Sequence, residues 1–206
     1  MQITLLSLLD YAGVATFAAT GALMAAEKRQ DLVTFVFFAA VTGVGGGTLR
    51  DLLIGAPVFW VLDPGYSIVC AAVAVLVWLT RGRGLPGGAL VWLDALGMCV
   101  YAVVGSAKAL AMGVPPVVCV VMGVITATFG GVLRDVLANE PSILLRREIY
   151  ITATIVSAGV FVGLRALGVD WTAASVAAVV LGFAVRAGAI VWKWRLPAFQ
   201  PADGKD

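Results

Sequence analysis

Apolar residues run along the chain in blocks of about 20, separated by short polar or Gly/Pro-rich breaks, and no stretch alternates with the period of a strand. A helix rises about 1.5 Å per residue, so a block of that length crosses a hydrocarbon core of about 30 Å. The breaks place spans near residues 3–26, 32–53, 65–80, 89–111, 115–138, 148–167 and 171–192. The pattern predicts an all-α integral membrane protein with seven transmembrane helices in a single membrane domain. The first span has no basic residue before it and contains Asp10, so it reads as a retained helix and not as a cleaved signal.

Composition sharpens this picture. Of 206 residues, 61% are apolar and 13% charged, against about a quarter charged in a soluble domain. Histidine is absent, which removes the commonest metal ligand and the usual proton shuttle at neutral pH. Cys70, Cys99 and Cys119 all fall within apolar spans and read as packing residues. With no nucleophile constellation, no metal site and no soluble loop, the chain is not expected to be an enzyme or to bind nucleic acid.

The placement of the charges says more than their net of +2. An odd number of spans puts the termini on opposite sides. One side then collects Lys28, Arg29, Arg81, Arg83, Arg146, Arg147, Lys193, Arg195 and Lys205, and the other only Arg165. The positive-inside rule makes the first side cytoplasmic, with the N-terminus outside and residues 197–206 as a short polar cytoplasmic tail. A multi-pass membrane protein is expected.

The chain also repeats itself. A shift of 84 residues lays Asp10 on Asp94, Gly13 on Gly97, Gly21 on Gly105, Thr42 on Thr126 and Gly46-Gly47 on Gly130-Gly131. It also lays Arg50-Asp51 on Arg134-Asp135, Pro57 on Pro141 and Tyr66 on Tyr150, without a gap. Asp, Arg, Pro and Tyr are scarce in this composition, so their joint alignment argues for duplication. Each unit, residues 3–80 and 89–167, holds three spans. Three is odd, so the second unit is inverted relative to the first about an axis in the membrane plane, and span 171–192 stands outside the duplication.

The repeated motifs "VGGGTLRD" and "TFGGVLRD" carry the chemistry. Glycine weakens a helix by about 1 kcal/mol against alanine, so a break or kink is expected at Gly45, Gly46 and Gly47 and at Gly130 and Gly131. Such a break has to line a water-filled cavity or be buried in protein; close helix packing is the simpler role for small residues. Arg50 and Arg134 follow three positions later and need partners or water. Matching depths predict the pairs Asp10 with Arg50 and Asp94 with Arg134, one at each mouth, either guarding a path or stapling helices. Arg50 and Asp51 are neighbours in sequence and are expected to point to different helix faces, so that they do not satisfy one another within the helix. Lys108 takes the place of Met24 and either snorkels to the surface or presents a mobile charge to a cavity. Arg186 is expected to snorkel. The equivalent pair Phe17 and Tyr101, with Thr42 and Thr126, forms either a constriction or ordinary packing.

The segment "GGGTLRDLLIGAPVFW", followed by "TATFGGVLRDVLANEPSILLRREIY", resembles the prokaryotic trimeric intracellular cation (TRIC) channels over nearly the whole chain. The resemblance implies a homotrimer with a separate pore through each subunit, flanked by the second and fifth spans kinked at the glycine motifs. The permeant ions it implies are potassium and some sodium, with bound lipid and no other cofactor. Arg50, Arg134 and Lys108 are then pore or gate charges, with Asp10, Asp94, Asp51 and Asp135 beside them. Animal members use a lysine-led phosphoinositide motif and a long tail, which Lys108-Ala109-Leu110 and the short tail here do not match. Related bacterial sequences carry the label of glycine transporters, and a secondary transporter of glycine or a similar zwitterion is the alternative: an arginine for the carboxylate, an aspartate or carbonyls for the amine. A scaffold without a permeation path is a third reading.

Overall fold

The computed structural model describes residues 5–80, 88–142 and 149–197. Arg81, Arg83, Arg146, Arg147, Lys205, all but the first residue of the 197–206 tail, and the outermost ends of spans 3–26 and 148–167 lie outside the described residues. Eight helices form among the described residues: α1 (Leu5–Glu27), α2 (Leu32–Leu53), α3 (Phe59–Leu62), α4 (Gly65–Thr80), α5 (Ala89–Ala111), α6 (Pro116–Leu137), α7 (Ile151–Ala166) and α8 (Trp171–Trp192). Five of them, α1, α2, α5, α6 and α8, are long and apolar enough to cross a membrane, while α4 and α7 are apolar but shorter. The single turn α3 is an addition to the seven expected spans; four residues have too little periodicity to announce a helix.

The helix ends repeat as the sequence does. α2 and α6 each close on a left-handed residue, Gly55 and Asn139. The next N–H then turns back to the last turn, Ala56 to the Asp51 carbonyl and Glu140 to that of Asp135, both at 2.9 Å. α1 and α5 end the same way at Arg29 and Gly113, with Gln30 donating to Ala25 and Val114 to Ala109. At the starts, Asp31 caps α2 by accepting from the Thr34 N–H, and Pro116 opens α6. That N–H, with the Thr34 side chain, holds the Asp31 carboxyl below its usual range.

α1, α2 and α4 pack as one triplet and α5, α6 and α7 as another; α1 meets α5 and α2 meets α6 across the boundary, and α8 lies on α7 and α5. The cross-contacts run in opposite chain directions. A Cβ at Gly13 would meet the Tyr101 ring, and one at Gly97 the Phe17 ring. Likewise Gly46 abuts the Thr126 carbonyl and Gly130 the Thr42 carbonyl. Partners that exchange in this way require antiparallel helices, so the two triplets are related by an inverting pseudo-two-fold axis.

The glycine break is corrected here. α2 and α6 run as uninterrupted helices through Gly45–Gly47 and Gly130–Gly131. The reason is contact. An added Cβ would stand 2.1 Å from the Thr126 carbonyl oxygen at Gly46 and 2.3 Å from that of Thr42 at Gly130. The glycines bring two backbones together, and neighbouring helix surface offsets their weak propensity. Gly45 faces Leu133, and Gly47 faces the Phe59 ring.

Because the opposing atoms are backbone, Gly46→Ala and Gly130→Ala are each expected to lower stability by about 1–3 kcal/mol. Gly163→Ala, where nothing stands within 4 Å, is expected to be neutral or stabilising by up to about 1 kcal/mol. Thermal unfolding of the purified protein in detergent compares the three.

Candidate functional site

Two charged clusters sit at opposite ends of the α2–α6 crossing, one per repeat. In the second, Arg134 is fully buried. Its Nη1 donates to Asp94 at 2.9 Å and to the Thr20 hydroxyl of α1 at 3.0 Å, while Nε donates to Asp135 at 2.9 Å. Tyr150 hydrogen-bonds Asp94, and both gather with Arg134 around the bare Cα of Gly131. The expected pair of Asp94 with Arg134 is therefore present.

The first cluster is built differently. Arg50 is also buried, and its Nε donates to Asp51 at 2.8 Å, yet Nη1 and Nη2 have no hydrogen-bond partner. Asp10 lies close enough to Arg50 to interact electrostatically, but it takes its hydrogen bond from Tyr66 at 2.9 Å. The expected Asp10–Arg50 ion pair is thus not made. The hydroxyl that Thr20 offers Arg134 is missing here as well, because Val104 stands where the pseudo-two-fold calls for a second Thr20. In both clusters the arginine reaches the carboxylate of the next residue, contrary to the expectation that they would diverge. Its long stem curls around the helix, while the short aspartate stays at its root.

Asp51 is the hub of the first cluster. Besides Arg50 it holds the Lys108 Nζ of α5 at 2.8 Å and accepts the Phe59 N–H of α3 at 3.0 Å. The Phe59 ring packs over Gly47, with Arg50 at 5.7 Å and Lys108 at 5.8 Å from its centroid. Lys108 is tied to Asp51, with its side chain 31% exposed. Beyond it, Tyr11 and Tyr66 stack at 4.1 Å. Tyr11 donates to Asp63 at 2.6 Å, and that bond, aided by the Gly65 N–H, holds the Asp63 carboxyl below its usual range.

The cations are arranged differently at the two ends. Arg50 and Lys108 lie with Asp10 and Asp51, whereas Arg134 bonds Asp94 and Asp135 and a second cation, Arg186, stands beyond Tyr150. Arg186, expected to snorkel, is instead buried, with its guanidinium 5.2 Å from the Tyr150 ring centroid and donating to the Ile149 carbonyl. The tyrosine and the carbonyl at α7's leading end hold this α8 cation inside, beside the Arg134 cluster. Between the clusters, Phe17 and Tyr101 stack at 5.2 Å, and Tyr101 donates to the Gly43 carbonyl at 3.1 Å. Thr126 donates to the Met122 carbonyl, while the Thr42 hydroxyl is buried without a partner.

Tyr66 and Tyr150 were legible only as repeat matches. No motif or repeat match marks Phe59, Tyr11, Asp63 or Thr20 in the sequence; the failure of Thr20 to repeat at Val104 is the one signal for the last.

The sequence profile of the family described as Glycine transporter matches residues 7–81 and 91–166, and so falls on both repeats. The UPF0126 inner membrane protein YadS of Escherichia coli K12 is 40% identical over 93% of this chain and 94% of its own length. A UPF0126 membrane protein of Vibrio cholerae is 38% identical over 97% of this chain and 84% of that one. Among solved structures, a TRIC trimeric intracellular cation channel orthologue from Rhodobacter sphaeroides is 46% identical with a TM-score of 0.90, covering 93% of this chain and 100% of that one. A prokaryotic TRIC channel crystallised in 0.5 M KCl is 26% identical with a TM-score of 0.84, covering 93% and 98%.

Removing one partner of a buried ion pair costs about 3–5 kcal/mol, and losing a buried hydrogen bond about 1–3 kcal/mol. Asp94→Ala is therefore expected to destabilise more than Asp10→Ala. Val104→Thr, which offers Arg50 a hydroxyl, is expected to stabilise by about 1 kcal/mol. Unfolding midpoints in detergent rank the three variants.

Proposed function

This chain belongs to the family described as Glycine transporter and to the TRIC family of membrane proteins, and we propose that it is a cation channel of the inner membrane, permeable to potassium. The observation that carries the reading is the likeness to the Rhodobacter sphaeroides channel, at 46% identity and a TM-score of 0.90 over the whole of that chain. The pore runs through each subunit of a homotrimer, beside the α2–α6 crossing and past both charged clusters. The N-terminus is outside and the C-terminus in the cytoplasm.

The charges support a gate at the Arg50 end. While Lys108 rests on Asp51, that cluster is neutral and its ammonium occupies the place where a cation would be stabilised. Withdrawal of Lys108 leaves Arg50 against Asp10 and Asp51, a net negative mouth. A unit charge crossing the full field gains about 2.3 kcal/mol per 100 mV, so membrane voltage biases this step. In this reading, the close contacts at Gly46 and Gly130 keep the two backbones tight enough for the clusters to face one path.

A second reading has its own observation. The two unpartnered Nη groups of Arg50 beside Asp10 suit the carboxylate and amine of glycine, in keeping with the family's description. In that case labelled glycine enters liposomes carrying the protein, and Arg50→Lys abolishes its uptake.

Lys108→Met, which restores the residue of the first repeat at that place, tests the gate. The expected outcome in planar bilayers is a potassium current whose open probability loses most of its voltage dependence. Asp51→Asn is expected to shift in the same direction. Unchanged voltage dependence in both variants removes Lys108 from gating.

A further inference from the structure

The last turn of α8 and the first turn of α5, one turn from Asp94, enclose a hollow lined by Val91, Ala189, Ile190, Lys193, Trp194 and Arg195. The end of α8 builds its wall. Lys193 adopts a left-handed backbone with φ of 53°, and the Trp194 N–H returns to the Ala189 carbonyl at 3.2 Å. The chain thereby folds back over the helix it has just left. The rings of Trp192 and Trp194 stack with centroids 5.2 Å apart and seat against Gly188, where an added Cβ would come within 2.8 Å of Trp192.

The hollow has two chemical halves. Val91, Ala189 and Ile190 make one apolar; Lys193 and Arg195, both exposed, make the other cationic. Among the described residues neither cation takes part in an ion pair. Both stand at the end of a span, on the side where the sequence gathers its basic residues, and tryptophan at such a depth marks the headgroup level of a bilayer.

We infer that this hollow binds an anionic phospholipid. Its phosphate lies against Lys193 and Arg195, its glycerol region against Trp194, and an acyl chain along Val91, Ala189 and Ile190. The pairing of halves selects the ligand. A free phosphate uses the cations and leaves the apolar half unfilled, while a zwitterionic lipid fills the apolar half and gains little from the cations. Basic pockets between transmembrane helices recognise anionic headgroups by this combination. Because α8 stands outside the duplication, Lys193 and Arg195 have no counterpart at the 84-residue shift in the first repeat.

Native mass spectrometry of the full chain in detergent tests this, with phosphatidylglycerol, phosphatidylcholine or glycerol 3-phosphate added. The unsubstituted protein is expected to retain phosphatidylglycerol about tenfold better than phosphatidylcholine, with no displacement by glycerol 3-phosphate. The double variant Lys193→Gln/Arg195→Gln and the single Arg195→Glu are expected to lose that preference while keeping the unfolding midpoint of the parent, since both side chains are exposed. Equal retention of the two lipids by the parent, an unchanged preference in the folded variants, or displacement by glycerol 3-phosphate overturns the proposal.

Discussion

A guanidinium taken out of water into a helical bundle has to meet acceptors at hydrogen-bond distance, because an uncompensated buried charge costs several kcal/mol. The arrangement of the two triplets follows from that requirement. Arg134 draws on three helices at once: its own α6 through Asp135, α5 through Asp94 and α1 through Thr20. Those bonds exist only if α1 crosses close to α6, and that approach depends on small residues at the contacts. Gly21 and Gly105 let α1 and α5 settle on α2 and α6 at Thr42 and Thr126, while Gly46 and Gly130 let α2 and α6 touch through backbone. Charge neutralisation and glycine packing are thus one constraint seen from its two ends.

The departures from two-fold symmetry carry the specificity. Thr20 is answered by Val104, which has no hydroxyl to offer, and Arg50 keeps two nitrogens without a hydrogen-bond partner. Met24 is answered by Lys108, so Asp51 gains a second cation at 2.8 Å. Where the duplicated chain is symmetric it builds a scaffold; where it differs it leaves a partly exposed lysine on Asp51 at one end and a fully buried arginine on Asp94 and Asp135 at the other. The proposed gate uses this difference, since a partly exposed lysine can leave its carboxylate at modest cost whereas a buried arginine bonded on three sides cannot.

Much of this was legible in the sequence. Span lengths and the 84-residue register placed seven of the eight helices and the inverted repeat, because hydrophobic length and scarce residues are strong signals. The pair of Asp94 with Arg134 followed from depth alone. Depth could not decide the first cluster, where Asp10 and Arg50 sit close but a single methyl-for-hydroxyl difference at Val104 removes the third partner. Nor could glycine propensity reveal that Gly46 and Gly130 face backbone, since propensity describes an isolated helix. The bond of Lys108 to Asp51 crosses from α5 to α2 over 57 positions, and only the closed fold brings them together. Phe59, held by Asp51 on a helix of one turn, left no periodic trace.

The central claim is that cations cross the membrane through this chain, and reversal potential tests it most directly. The purified protein in a planar bilayer, with potassium chloride concentrated on one side, is expected to give unitary currents that reverse near the potassium potential. Reversal near the chloride potential, or a silent bilayer from a preparation that drives glycine into liposomes, contradicts the account.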